Sequence, residues 1–139
     1  MSDGPLNREQ LQERLLRSPF NAFLNLEVRS SDLEKQELVV RLEMRPEFER
    51  TAGTGQWHGG PIAAAIDVTG DFALAMLIGN PLPTISFSVD YLRPASGSLT
   101  LTARVRRRGK TVGVVDVDVL NEAGVLLAVG RASYSTVTA

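Results

Sequence analysis

At 139 residues, with 43% hydrophobic and 22% charged side chains, the chain has the length and composition of one ordinary globular domain. A net charge of −1 gives no electrostatic reason to expect nucleic acid or an anionic membrane surface as partner. With no cysteine and a single histidine, His58, the chain excludes thiol nucleophiles, disulfides, cysteine-zinc sites and multi-histidine metal sites. The stretch from Met1 to Arg17 is polar and lacks the apolar core of a signal peptide, so the expected location is the cytoplasm.

In residues 6–17, Leu6, Leu11, Leu15 and Leu16 recur near helical spacing among charged neighbours. That pattern predicts a short amphipathic helix, stopped by Ser18-Pro19. Residues 23–30 are read as a first strand. Over 36–45, Leu38, Val40, Leu42 and Met44 alternate with Glu37, Arg41, Glu43 and Arg45, the period of a half-buried strand. Pro46 to Trp57 reads as a loop holding Gly53 and Gly55.

The segment from Pro61 to Ile78 is almost uniformly apolar and rich in helix-forming Ala, Leu and Met. Gly59-Gly60 precede it, Pro61 suits a first helical turn, and Gly79-Asn80-Pro81 ends it. Its length, about 27 Å, fits a membrane span. Asp67 and Asp71 in mid-segment argue against that, because each carries a large insertion penalty. A helix apolar on every side is then expected to be buried on every side by protein. Strands follow over 84–92, 99–108, 112–120 and 125–135, with hairpin turns at Gly109-Lys110 and Asn121 to Gly124. The expected architecture is α+β, a curved antiparallel sheet of five to six strands wrapped around one long buried helix. It forms a single domain over 1–139, with 1–19 as an N-terminal helical extension.

Two features carry chemistry. Asp67 and Asp71 lie four apart, hence on one helix face, one turn from each other. Buried aspartates are rare unless paired or functional, and two this close raise at least one pKa. The plainer reading is that they bond to backbone or cap a neighbouring element. The second feature is Trp57-His58-Gly59-Gly60-Pro61, where free amides at a helix start, beside side-chain-free glycines, suit a developing oxyanion. Glycine pairs also mark tight helix starts, and His58 is read either as an orienting residue or as a structural one.

Taken together, GQWHGGPIAAAIDVTGDFA and SFSVDYLRPA resemble the PaaI-type acyl-CoA thioesterases of the hotdog superfamily. Their pattern is a glycine, then His-Gly-Gly, then an aspartate nine residues after the histidine, matched by Gly55, His58, Gly59, Gly60 and Asp67. Tyr91 to Ala95, Arg108-Gly109-Lys110, Asn121 to Gly124 and Ala132-Ser133-Tyr134 extend the likeness over residues 20–136. The resemblance implies a hotdog fold and an acyl-CoA thioesterase, and Ala63, Ala64 and Ala65 leave room along the helix for an aryl or medium-chain acyl group. It implies Asp67 as catalytic carboxylate, either nucleophile or general base, and Gly59 as the amide that polarises the thioester carbonyl. It gives His58 a supporting role and Thr84 a part in placing water. Many relatives carry Asn or Gln six residues before the histidine; Ala52 stands there, with Gln56 as the nearest amide. Some carry a hydroxyl residue where Asp71 stands.

Gly59 and Asp67 are eight residues apart, about 12 Å along one helix. A reacting pair must close to about 3–3.5 Å. If both act, two chains must share each site, with a homodimer as the minimum and a homotetramer expected. No metal or other cofactor is required, and coenzyme A enters only as part of the substrate. Its phosphates need cations. Arg93, and the cluster of Arg106, Arg107, Arg108 and Lys110, are candidates, against the plainer reading of a solvated strand end. Gly60, Gln56 and Asp71 complete the candidate substrate contacts. The alternative function is a non-catalytic hotdog protein that binds acyl-CoA or an acyl ligand. A hydratase, which needs its Asp and His differently arranged, and a purely structural module fit less well.

Overall fold

The computed structural model describes residues 4–137, so residues 1–3 and 138–139 of the expected domain lie outside the described residues. Helix α1 spans Arg8–Leu16 and opens on a capping box, in which Asn7 accepts from Gln10 N–H and Gln10 answers to the Asn7 N–H. Its apolar face seats Leu11 and Leu15 in the core. Ser18-Pro19 ends this helix but also begins another, α2 (Pro19–Leu24), with Ser18 as N-cap. Proline stops a preceding helix for the reason it suits a new first turn: it has no N–H to place. The strand expected from residue 23 therefore starts later, as β1 (Glu27–Asp32), after Asn25 ends α2 in the left-handed region at φ 57°.

β2 (Glu37–Leu42) is followed by a loop with one 3₁₀ turn, then by helix α3 (Gly59–Ile78). Four strands complete the chain: β3 (Thr84–Tyr91), β4 (Leu99–Arg108), β5 (Val112–Leu120) and β6 (Leu126–Ser135). They form one six-stranded antiparallel sheet in the order β1-β2-β4-β5-β6-β3. Its inner face presents Leu38, Val40, Leu42, Leu101, Val115, Val117, Val119, Ala132 and Tyr134, all fully buried against α3. This is the expected α+β architecture, a sheet curled around one central helix.

α3 begins two residues before the proline. His58 holds extended backbone angles and its Nδ1 accepts the Gly60 N–H at 2.8 Å, so the glycines form the first turn. Pro61 still falls where no N–H is needed. The helix is long and apolar enough to cross a membrane, yet 67% of its most apolar window is buried inside the fold. The expectation of burial on every side holds from Phe72 to Ile78. It does not hold in the first half, where Ala63, Ala64, Asp67, Val68 and Asp71 make a partly exposed strip. β3, at one sheet edge, is also uncovered: Ile85 is 55%, Phe87 42% and Tyr91 53% exposed.

Helix and sheet touch most closely at Gly70. A Cβ there would overlap the hydroxyl of fully buried Tyr134, which donates to the Asp67 carbonyl at 2.6 Å. Gly70→Ala should cost about 1–3 kcal/mol in urea unfolding through overpacking. Adding Tyr134→Phe removes the overlapping oxygen and should recover part of that loss, a coupling that a double-mutant cycle measures. Strict additivity of the two changes would refute the contact.

Candidate functional site

The tip of α3 is fixed from the loop that precedes it. Trp57 N–H donates to Ala95 O at 2.9 Å and its Nε1 to Gly97 O at 2.8 Å, while the indole stacks on Phe48 at 5.5 Å. His58 N–H donates to Phe48 O at 2.8 Å. The His58 backbone is thus pinned while its ring caps the helix. Accepting at Nδ1 puts the proton of neutral His58 on Nε2. The Gly60 amide is consumed by this bond, so of the two glycines expected to face substrate only Gly59 keeps a free N–H. Tyr91 Oη donates to the Gly59 carbonyl at 2.6 Å, and a Cβ on Gly59 would stand 3.0 Å from that ring. Only glycine fits there without displacing the tyrosine. Burial raises the Tyr91 hydroxyl above its ordinary pKa, which keeps it a donor.

A cleft of about 480 Å³ opens at this tip, lined by Trp57, His58, Gly59, Ile62 and Tyr91 to Ala95, with Arg50 at its side. Arg93 lies here as a candidate phosphate contact; Arg50, which loop composition gave no reason to single out, lies with it. Neither forms an ion pair among the described residues. Gln56 does not line the cleft: it bridges to Ser96, and its carbonyl receives the Arg50 N–H at 2.9 Å. Ala52 sits in an exposed loop organised by Glu49, whose carboxylate accepts the Gly53 and Gly55 amides at 3.3 and 2.6 Å.

The second centre lies along the same helix. Thr84 Oγ1, at the start of β3, donates to Asp67 Oδ1 at 2.8 Å, bringing two of the candidate residues together. One turn further, Asp71 Oδ1 accepts the Leu82 N–H at 2.7 Å. Burial pushes the Asp71 carboxyl up to about 7, opposed by the Leu82 hydrogen bond and reinforced by the charge of Asp67. Burial and both aspartates push the Tyr134 hydroxyl up as well, so it remains a donor. Eight positions apart, Gly59 and Asp67 stand about 12 Å from each other on one rod, outside reacting distance.

Arg108 and Lys110 are not at the cleft of their own chain. β4 starts two residues after Gly97, whose carbonyl holds Trp57 Nε1 at the tip, whereas Arg108 ends the strand about 30 Å from Leu99. Sheet register instead aligns Thr84 with Tyr134, Tyr134 with Gly113 and Gly113 with Arg108, so these cations share the Asp67 end. Arg106 is held by Asp116, at 3.5 Å. Among the described residues no group of three or more His, Asp or Glu gathers as a metal site.

The family model described as Thioesterase superfamily matches residues 54–128, a span that takes in both centres. The chain is 36% identical to acyl-coenzyme A thioesterase 13 of Homo sapiens, over 66% of this chain and 69% of that protein. It is 29% identical to the medium/long-chain acyl-CoA thioesterase YigI of Escherichia coli, over 84% of each. The crystal structure of zebra fish thioesterase superfamily member 2 superposes with a TM-score of 0.83 at 26% identity, covering 95% of this chain and 99% of that one.

The Asp71 environment makes a stability prediction. Its carboxyl holds a proton more tightly folded, at about 7, than at the ordinary 3.8. That contribution is therefore fully present below the ordinary value and lost as pH rises through 7. Asp71→Asn keeps an acceptor for Leu82 without the charge. It should raise Tm at pH 8 by several degrees, within an upper bound of about 4 kcal/mol, and do little near pH 4. Equal shifts at the two pH values would show that Asp71 ionises normally.

Proposed function

The chain belongs to the thioesterase superfamily, and from that premise we propose that it hydrolyses acyl-CoA thioesters at sites shared between two copies of itself. The observation that carries the shared site is the 12 Å rise between Gly59 and Asp67, estimated from eight residues of one helix. Two copies set with their α3 helices antiparallel bring the Asp67 of each to the Gly59 tip of the other. The partly exposed strip from Ala63 to Asp71 and the uncovered β3 edge support this, since the pairing would cover both.

In such a site the thioester oxygen accepts from the Gly59 N–H, where the positive end of the helix favours the oxyanion. Asp67 of the facing copy then acts in one of two ways. As nucleophile it bonds to the carbonyl carbon, the C–S bond breaks, CoA leaves as thiolate, and water hydrolyses the anhydride. As base it takes a proton from water, hydroxide adds to the carbon, and collapse expels the thiolate, which recovers the proton. Thr84 fixes the carboxylate oxygen that is not reacting. Neither route calls for a metal or redox cofactor. The cleft beside the tip, with Trp57, Ile62, Leu92 and Pro94 in its wall, is sized for an aryl or medium-chain acyl group.

A panel of acyl-CoAs assayed with a thiol reagent should show turnover that Asp67→Ala lowers by about 10²–10⁴-fold. Tight binding without thiol release would instead identify a carrier. Inactive Gly59→Val and Asp67→Ala chains, refolded together, should recover about a quarter of wild-type activity, because each mixed dimer has one intact site. No recovery, or a monomer in solution that is fully active, would end the shared-site reading. Label found in Asp67 after single turnover in ¹⁸O-water would identify the nucleophilic route, through attack of water at the aspartyl carbon of the anhydride.

Arg50 and Arg93 are the cations we assign to CoA phosphates at the cleft. Alanine at either should raise KM for acyl-CoA about tenfold, close to 1.4 kcal/mol, with kcat little changed. The same variants should treat an acyl-N-acetylcysteamine, which has no phosphate, like the wild type. A matching loss on both substrates would dismiss the assignment.

A further inference from the structure

We propose that Asp71 is a positioning residue of the hydrolytic site, acting on Asp67 both through the segment leading into β3 and through its own charge. The inference rests on the thioesterase reading above. Asp67 and Asp71 are one turn apart on the same face of α3. Facing them, Leu82-Pro83-Thr84 forms the lead-in to the uncovered edge strand. Leu82 N–H donates to Asp71 at 2.7 Å, and two residues later Thr84 Oγ1 donates to Asp67 at 2.8 Å. Ser135 N–H ties the Pro83 carbonyl from the β6 side at 2.9 Å. The acid that would react and the acid beside it thus grip one three-residue segment, and the grip on Leu82 decides where the Thr84 hydroxyl falls.

A tie of this kind needs an acceptor, not a charge: asparagine would receive the Leu82 N–H equally well. A carboxylate adds electrostatics, and it does so at a cost, because Asp71 is largely buried and its nearest titratable neighbour has the same sign. The groups that face it are Asp67 on its own helix, the Tyr134 hydroxyl from β6 and the Leu82 N–H from the lead-in. No cation pairs with Asp71 among the described residues. Its charge is therefore felt by Asp67 without local compensation. When Asp71 ionises, its negative charge stands one helical turn from the reacting carboxylate and strengthens its attack; when Asp71 is protonated, that enhancement disappears. With the carboxyl pushed up to about 7, the change falls in the neutral range.

The test is the pH dependence of kcat on the best acyl-CoA of the panel, for wild type, Asp71→Asn, Asp71→Ala and Thr84→Val, each checked for folding by thermal melt. Wild type should show a rise of about two- to fivefold as pH increases through 7. Asp71→Asn keeps the tie and should stay near the low-pH rate, with the inflection gone. Asp71→Ala loses the tie as well and should fall at least about tenfold in kcat with KM nearly unchanged, as Thr84→Val does. The double variant Asp71→Ala/Thr84→Val should fall no further, since both act through one contact. An inflection that survives in Asp71→Asn, or an Asp71→Ala enzyme with wild-type kcat, overturns the proposal while leaving the thioesterase reading intact. Absence of thiol release from the wild type removes that reading and this one together.

Discussion

The constraint on which the molecule turns is the fixed rise of an α-helix. α3 carries a carboxylate at Asp67 and the Gly59 amide at its tip, joined by one unbroken helix. Eight residues at about 1.5 Å each set a separation no rotamer can close. On the proposed reading each chain then supplies two half-sites rather than one site. The same rigidity is an advantage once two rods lie antiparallel, because both pairs of groups are then brought into register by a single docking geometry.

The sheet makes the rod a precise carrier. Tyr134 reaches from β6 to the Asp67 carbonyl, in space that exists because residue 70 has no side chain. β3 is tied to α3 at both of its ends, by Leu82 and Thr84 to the two aspartates and by Tyr91 to the Gly59 carbonyl. One strand thus spans the distance between the centres and fixes each of them. Because β3 is also a sheet edge, the proposed pairing would couple association to the alignment of these groups through the same eight residues.

Much of this was legible in the residues. An apolar run interrupted by two aspartates admits few explanations other than a core helix with a task, and its length sets the Gly59–Asp67 distance at once. Alternation located β3 to β6 to within a residue, whereas β1 starts four residues later than expected and β2 ends three residues earlier. What escaped the sequence depends on contacts made through space. α2 was missed because Ser18-Pro19 is equally a stop and a start. The covering of α3 was overstated because hydropathy does not say which chain supplies the cover. Arg93 and Arg108 looked alike as isolated cations, and only the folded chain places one in the cleft at the tip and the other at the Thr84 end of the sheet, three strands from Thr84. Arg50, Tyr91 and the hold of Glu49 on its loop have no periodic signature; each arises where distant segments meet.

The two edges of the sheet are treated differently, and that difference bears on the proposed pairing. At β1 the outward backbone is occupied by α1: Gln12 Nε2 donates to Leu26 O at 3.0 Å, Gln12 Oε1 accepts the Val28 N–H at 2.6 Å, and Arg8 reaches Val28 O at 3.4 Å. An edge satisfied in this way offers little to another strand. The outer sheet face is also unreceptive, crossed by the ion pairs of Arg104 with Glu37 and Asp118 and of Asp116 with Arg131. Exposed pairs like these contribute little stability, but a hydrated, charge-matched face discourages unselective stacking. β3 has neither protection: among the described residues no side chain caps its outward backbone, and Ile85 and Phe87 stand exposed along it. The N-terminal helix therefore does more than add core. By closing one edge it leaves β3 as the edge open to further pairing, the edge that the proposed shared site uses.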